Sequence, residues 1–107
     1  MAALIVFTTL PDSTAAVKMA DYLIQTHLAD CVHILSAGQS VYRWQGKLEH
    51  TEETTLLIKT TEEAYPRLQS VIRTNHPYDT PEILAIPVSH CLPEYLSWLT
   101  AETCVQS

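Results

Sequence analysis

The sequence predicts an α+β fold, a ferredoxin-like βαββαβ sandwich that ends in a C-terminal helix. Short apolar runs typical of strands alternate with two segments whose apolar residues recur at helical spacing. Two β-α-β halves of this kind form an antiparallel four-stranded sheet with both helices on one face. Only two glycines, Gly38 and Gly46, occur in the 107 residues, so no flexible linker divides the chain. We therefore expect one domain over residues 1–107.

The first strand and the first helix follow from the opening residues. Residues 3–9 are mostly apolar, and Asp12 or Ser13 after them can cap the N-terminus of a helix. From there apolar side chains recur at helical spacing and predict a helix over about residues 14–28. Its apolar stripe consists of Ala16, Met19, Ala20, Leu23, Ile24 and His27. This helix is expected to cover one face of the sheet.

A long antiparallel ribbon is predicted for the middle of the chain. Residues 31–35 and 40–44 predict a long second strand with a bulge or kink near residues 37–38. A turn at Gln45-Gly46 reverses the chain, and residues 47–61 supply the returning strand. The ribbon is longer than one small sheet requires, and open strand edges invite pairing with another chain. We therefore expect an obligate oligomer.

The second half of the chain repeats this order. Thr61, followed by two glutamates, predicts the start of a second helix that extends to about Asn75. A buried strand is expected over residues 83–88. Pro93 then predicts a short C-terminal helix over residues 92–99.

A polar corner separates the second helix from the last strand. Its sequence, residues 75–82, is Asn-His-Pro-Tyr-Asp-Thr-Pro-Glu. Two prolines restrict the backbone, which lowers the entropy cost of ordering the corner. The segment thus presents an imidazole, a phenol and two carboxylates together, and it is the strongest candidate for a site.

The charge balance narrows the classes of function. Twelve acidic residues against six Lys and Arg give a formal net charge of −6 at pH 7. This argues against nucleic-acid binding and against binding to anionic membrane surfaces, whereas small cations or polar solutes fit better. No apolar run approaches the roughly 18 residues of a membrane span. No catalytic motif is present, so we expect no enzymatic activity.

The three cysteines, Cys31, Cys91 and Cys104, have no CxxC spacing and form no even framework. Reduced thiols in a cytoplasmic protein are therefore expected. The apolar start of the chain lacks a basic segment and is too short for a secretory signal.

Seven segments spread over nearly the whole chain form a recognisable pattern. They are Leu10-Pro11-Asp12, Ala29-Asp30-Cys31-Val32, Tyr42-Arg43-Trp44-Gln45-Gly46-Lys47, Leu57-Ile58-Lys59-Thr60, His76-Pro77-Tyr78, Pro81-Glu82-Ile83 and Tyr95-Leu96-Ser97-Trp98-Leu99. Together they resemble the CutA divalent-cation tolerance family. The resemblance implies a cytoplasmic homotrimer similar in architecture to the PII signalling proteins, with clefts between subunits. It also implies a role in tolerance to divalent metals such as copper.

Three residues are candidate metal ligands. The resemblance places a metal site near His76, with Glu82 beside it, and Cys31 offers a thiolate. The alternatives are that His76 caps the second helix or bridges subunits, and that Cys31 is a small buried hydrophobe. Some copper-binding relatives carry a cysteine and a second histidine where this chain has Thr8 and Asn75, so copper binding is expected to be weak.

A ligand cleft is the other candidate site. Lys59 lies in an apolar strand and needs a carboxylate partner, for which Glu82 is the expected residue. If both face a cleft between subunits, they can bind a small anion or zwitterion, as in a PII-like sensor. The aromatic residues expected to line this cleft are Tyr42, Trp44, Tyr78 and Trp98. Packing between subunits, in a structural or anchoring trimer, is the alternative.

Overall fold

A computed structural model describes residues 2–103. The elements are β1 (Ala3–Leu10), α1 (Ser13–Gln25), β2 (Cys31–Ile34), β3 (Gly38–Trp44), β4 (Lys47–Thr61), α2 (Tyr65–Asn75), β5 (Leu84–Pro87) and α3 (Pro93–Glu102). Cys104 lies outside the described residues. No helix within residues 2–103 is long and apolar enough to cross a membrane.

The main sheet has the strand order β2-β4-β1-β5, and every neighbouring pair is antiparallel. This is the order that two interleaved β-α-β halves produce, so the predicted ferredoxin-like arrangement is confirmed. β3 lies off this path, and within the described part of the chain it pairs with the first half of β4 alone.

The hydrophobic core lies between one sheet face and the first two helices. Alternate strand residues such as Val6 and Ile58 point to this face and are fully buried. Leu23 of α1 and Leu68 and Ile72 of α2 pack against them in the same cluster. The opposite face carries the intervening residues, which are only half-buried in one chain. One sheet face is therefore left for α3 or another molecule to cover.

α1 begins as predicted but ends at Gln25, three residues before the predicted end. The carboxylate of Asp12 accepts a hydrogen bond of 2.8 Å from the Ala15 amide, which confirms it as the cap. At the other end, His27 takes a left-handed conformation with φ of 60°. The Leu28 amide then donates to the Leu23 carbonyl at 3.0 Å, which closes the helix in a Schellman motif. His27 is therefore not part of the apolar stripe.

A two-stranded arm extends from the sheet. We define the arm as β3 together with residues 47–53 of β4, which pair with each other from Gly38↔Glu53 to Trp44↔Lys47. Gln45 and Gly46 both have positive φ, of 50° and 79°, as a type I′ hairpin turn requires. Between the Ile34↔Leu56 and Gly38↔Glu53 pairs, the β2–β3 side has one more residue than β4, so the predicted irregularity is confirmed.

β5 differs from its prediction as a buried strand. Among residues 2–103 it is an edge strand that pairs with β1 alone, and all four of its residues are exposed in one chain. Leu84 and Ile86 are 58% and 52% exposed. The apolar sequence is therefore explained by a surface that a single chain does not cover.

α3 covers one corner of the open sheet face, where β2 begins. The Tyr95 ring of α3 lies with its centroid 5.6 Å from Lys59 Nζ. Asp30 beside it is only 8% exposed, and no hydrogen bond of normal geometry reaches either carboxylate oxygen within residues 2–103. Burial raises the pKa of the Asp30 carboxyl, and the Tyr95 hydroxyl and the Lys59 ammonium oppose this only in part. An ionised Asp30 therefore destabilises the contact between α3 and the start of β2.

We expect the substitution Asp30→Asn to stabilise the fold at neutral pH. A raised native pKa means that the folded chain binds more protons than the unfolded chain between the ordinary value of 3.8 and the native value. The contribution of Asp30 to the free energy of unfolding thus falls as pH rises through this interval. Asparagine does not ionise, so the advantage of the variant should grow with pH and then level off. Urea denaturation across this pH range measures it.

Asp21→Asn is the matched control, because it makes the same chemical change at an exposed position of α1. The difference between the two variants isolates the buried carboxyl. An advantage of Asp30→Asn that stays constant with pH would contradict the interpretation.

Candidate functional site

The strongest candidate site is a cleft between the arm and the polar corner. We call it the acid–aromatic cleft. It has a volume of about 560 Å³ and is lined by Thr9, Tyr42, Trp44, Thr51, Glu53, Tyr78, Asp79, Thr80 and Glu82. The lining contains three carboxylates and three aromatic rings, and no Lys, Arg or His. The cleft is therefore a negatively charged site with apolar walls.

The arm supplies one wall through the alternation of its strands. Side chains two residues apart point to the same face, and paired residues of neighbouring strands share a face. Tyr42, Trp44, Thr51 and Glu53 therefore lie on one face of the arm. The hydroxyls of Tyr42 and Thr51 share a hydrogen bond of 2.8 Å, which holds the Tyr42 ring in place.

The polar corner supplies the other wall, and Tyr78 joins the two. Its hydroxyl donates a hydrogen bond of 2.8 Å to Glu53 Oε2. Burial, followed by this bond and the charge of Glu53, raises the pKa of Tyr78 to about 12. The phenol therefore stays protonated and acts as a donor, while the other oxygen of Glu53 remains open to a ligand.

His76 fixes the corner to the sheet. The imidazole is buried, and its Nδ1 accepts a hydrogen bond of 3.1 Å from the Tyr78 amide. Nε2 must then carry the proton, which it donates to the Thr9 carbonyl at 2.9 Å. Burial lowers the pKa of His76, although Thr9 and the charge of Glu53 oppose the shift, so the ring is neutral at pH 7. Its ring lies 4.9 Å from that of Tyr78, centroid to centroid.

This geometry affects the predicted metal role of His76. A neutral imidazole has one nitrogen lone pair, and here the Tyr78 amide occupies it. A metal ion can bind only after this hydrogen bond breaks. His76 stands at the C-cap position of α2, but its ring bonds to Thr9 and Tyr78 and not to a carbonyl of the helix. The side chain that bonds to a carbonyl of the last turn is Asn75, whose Nδ2 donates to the Val71 carbonyl at 2.9 Å.

The structure brings together some of the residues predicted as metal ligands or as cleft residues. Tyr42, Trp44, Tyr78 and Glu82 line the cleft, with His76 behind it. Cys31, Lys59 and Trp98 lie elsewhere in a single chain. Cys31 lies opposite Lys59 of β4 in the sheet. His76 bonds to Thr9, which lies opposite Thr55 of the same strand. Lys59 and Thr55 are four residues apart on β4, which corresponds to about 13 Å.

Lys59 has a different neighbour from the one expected. Its ammonium lies over the Tyr95 ring and interacts with the charge of Asp30, and Glu82 lies in the cleft. The expected Lys59–Glu82 pair is therefore not formed within one chain. As a result, the cleft lacks the cation that would favour an anionic ligand.

Glu53 and Asp79 are the lining carboxylates that the site prediction does not include. The sequence analysis places Glu53 only within the returning strand predicted over residues 47–61. The Gln45-Gly46 turn carries a usable signal, because a two-residue hairpin fixes the pairing and places Glu53 on the face of Tyr42. Asp79 is part of the polar corner, but its sequence position alone does not show where it points.

A tightly held metal ion does not fit these residues. Within residues 2–103, no three His, Cys, Asp or Glu side chains converge closely enough to hold one. The carboxylates are spread around a cleft much larger than a bare ion. They suit a hydrated cation or an organic cation, held by charge rather than by a full coordination shell.

Comparison with known proteins gives one consistent result. The family model described as "CutA1 divalent ion tolerance protein" matches residues 4–102. The divalent-cation tolerance protein CutA of Pectobacterium atrosepticum is 41% identical over 99 residues, which cover 92% of this chain and 90% of that protein. The protein of the same name from Thermus thermophilus is 40% identical over 99 residues, covering 92% and 96%.

Solved structures agree with the sequences. CutA1 from Oryza sativa superposes with a TM-score of 0.96 at 35% identity, covering 99% of this chain and 97% of that one. The Thermus thermophilus structure gives a TM-score of 0.93 at 39% identity, covering 95% and 99%. The chain therefore belongs to the CutA1 divalent ion tolerance family.

Proposed function

We propose that this chain acts in divalent metal-ion tolerance as a cytoplasmic, non-enzymatic homotrimer whose acid–aromatic cleft binds divalent cations weakly. The observation that carries the proposal is the grouping of Glu53, Asp79 and Glu82 around one cleft that no basic residue lines. Relatives of this chain are named as divalent-cation tolerance proteins, and their names describe tolerance rather than a catalysed reaction.

The chemistry of the cleft favours weak, exchangeable binding. Three carboxylates attract a divalent ion, and oxygen ligands allow it to keep part of its water shell. Copper prefers nitrogen and sulfur ligands. However, the Tyr78 amide occupies the lone pair of His76, and Cys31 lies at the start of β2, away from the cleft. Copper is therefore one of several cations that the cleft binds, and the carboxylates supply its ligands.

The exposed apolar surface supports the homotrimer. Trp44 and Leu48 of the arm are 60% and 64% exposed, and the free edge strand β5 presents Leu84 and Ile86. Soluble chains seldom leave so many large apolar side chains in water when no partner covers them.

The cytoplasmic location is supported by the free thiols of Cys31 and Cys91, because a reducing cytoplasm maintains cysteines in that state.

A second function is favoured by the aromatic walls of the cleft. A volume of about 560 Å³ with Trp44 and Tyr78 as walls suits a small organic molecule. The surrounding carboxylates favour a cationic or neutral polar metabolite over an anion. Such a PII-like sensor would show a metabolite-dependent rise in melting temperature in the presence of a chelator.

We expect the double substitution Glu53→Gln and Glu82→Gln to weaken the binding of Cu²⁺ and Zn²⁺ by about tenfold, a loss of about 1.4 kcal/mol. The change removes two charges from the cleft and leaves an oxygen acceptor for the Tyr78 hydroxyl. Isothermal titration calorimetry on metal-free protein measures both affinities.

The control is Glu62→Gln with Glu63→Gln, which makes the same change in net charge at exposed positions before α2. Equal affinities in the two double variants would show that only the overall charge of the protein attracts the ions. The cleft would then lose its role as the binding site.

We expect His76→Ala to lower the free energy of unfolding by about 2 kcal/mol and to weaken cation binding less than the double substitution of Glu53 and Glu82 does. The variant removes the hydrogen bond that joins the corner to the Thr9 carbonyl of β1 and the hydrogen bond that the imidazole accepts from the Tyr78 amide within the corner. The pKa of His76 in the folded chain is lowered from its ordinary value of 6.5. Its contribution to stability is therefore fully present above pH 6.5 and is lost as the pH falls below 6.5. Wild type should therefore lose more stability than the variant on acidification.

Urea denaturation of wild type and His76→Ala at several pH values tests the loss of stability. Isothermal titration calorimetry of the folded variant with Cu²⁺ and Zn²⁺ tests the cation affinity. Loss of stoichiometric metal binding in a folded His76→Ala protein would show that the imidazole is a ligand. The proposed cation site would then move from the cleft to His76.

A further inference from the structure

A second cavity lies on the helix side of the polar corner, and we call it the helix pocket. It has a volume of about 600 Å³ and is lined by Leu10, Ala15, Lys18, Met19, Asp21, Tyr22, Gln25, Asn75 and Pro77. A cavity of this size can hold a small organic molecule. Among residues 2–103, none lines both the helix pocket and the acid–aromatic cleft, so the two are separate cavities.

One stripe of α1 forms most of the helix pocket. Residues three or four apart along a helix share one face. The residues of α1 that line the pocket follow this spacing, and they are Ala15, Lys18, Met19, Asp21, Tyr22 and Gln25. The end of α2 and the polar corner supply the remaining wall through Asn75 and Pro77. The shape of the pocket is therefore set by how both helices pack on the sheet.

The floor of the helix pocket is apolar. Leu10 is fully buried, and Met19 is only 5% exposed. The rings of Tyr22 and Pro77 stand beside this floor, and Tyr22 is 44% exposed. Covering such a surface removes apolar atoms from water. The pocket therefore favours a ligand with an aromatic or branched aliphatic group.

The rim of the helix pocket carries one positive and one negative group. Lys18 and Asp21 are three residues apart on α1, a spacing at which side chains can meet. Both are exposed, and within residues 2–103 neither makes an ion pair. Asn75 uses Nδ2 to bond to the Val71 carbonyl, so its amide oxygen stays available as an acceptor. These three side chains can bind an ammonium and a carboxylate at the same time.

The charge balance of the helix pocket differs from that of the cleft. Three carboxylates line the cleft, whereas one cation and one anion line the helix pocket. A ligand with a single charge would be attracted by one of these two groups and repelled by the other. A zwitterion is attracted by both. In an α-amino acid, one carbon joins the ammonium and the carboxylate, so both can face neighbouring side chains of one helix.

We propose that the helix pocket binds a free α-amino acid with an aromatic or branched aliphatic side chain. The carboxylate of the ligand binds the Lys18 ammonium. Its ammonium binds the Asp21 carboxylate and the amide oxygen of Asn75. Its side chain packs on Leu10 and Met19. This site goes beyond the proposed cation site and does not depend on it.

Isothermal titration calorimetry with L-phenylalanine and L-leucine in metal-free buffer tests the proposal. For ligands of about 12 non-hydrogen atoms or fewer, we expect a Kd on the order of 1 mM or tighter. N-Acetyl-L-phenylalanine lacks the positive charge and L-phenylalaninamide lacks the negative charge, so each should bind about threefold more weakly than L-phenylalanine. The proposal is overturned if neither amino acid binds at about 10 mM.

Single substitutions assign each charge of the ligand to its partner. Lys18→Met should weaken L-phenylalanine binding about threefold and leave that of L-phenylalaninamide unchanged. Asp21→Asn should weaken L-phenylalanine binding by a similar factor and leave that of N-acetyl-L-phenylalanine unchanged. Lys47→Met is the control, since it removes the same charge at the end of the arm, outside the helix pocket. Equal affinities of Lys18→Met and Lys47→Met for L-phenylalanine would contradict the assignment of Lys18.

Two further variants locate the ligand. Ala15→Phe fills the helix pocket and should abolish L-phenylalanine binding, and circular dichroism checks that the variant is folded. The double substitution Glu53→Gln and Glu82→Gln changes only the cleft and should leave this binding unchanged. Binding that survives Ala15→Phe and is lost in the double variant would place the ligand in the cleft and overturn the proposal. Titration of the same proteins with Zn²⁺ decides the proposed cation site separately.

Discussion

β4 is the strand on which the rest of the structure depends, because it pairs with three other strands along its 15 residues. Residues 54–61 pair with β1, residues 56–59 with β2, and residues 47–53 with β3. One continuous strand therefore fixes both the sheet and the arm. A register slip of one residue would move Glu53 to the opposite face of the arm and expose Leu56 and Ile58 on the open sheet face. The geometry of the cleft is thus set by the same constraint that sets the core.

The polar corner depends on this sheet through His76. The imidazole lies between the Thr9 carbonyl of β1 and the Tyr78 amide, and both of its nitrogens are used. Tyr78 then reaches across to Glu53 on β4. A chain of three hydrogen bonds therefore connects β1, the corner and the base of the arm. The histidine positions the cleft wall, and its pKa is lowered because this position is buried.

Much of the fold could be predicted from the sequence because the determining signals are local. Alternation along β4, the Gln45-Gly46 turn and the Asp12 cap each act over a few residues, and all three agree with the structure. The end of α1 was not predictable in the same way, since a histidine takes the left-handed position that glycine usually occupies. The exposure of β5 depends on what covers the sheet, and its own apolar sequence does not show that.

The site was predictable only where neighbouring residues share an element. Tyr78 and Glu82 belong to one short corner, and Tyr42 and Trp44 to one strand, so their common location follows from local order. The partner of Lys59 is set by long-range packing instead. α3 brings Tyr95 to the ammonium and the α1–β2 connection brings Asp30, although Glu82 is an equally plausible carboxylate by sequence. A charge pattern identifies which groups need partners, and the topology decides which partner each one receives.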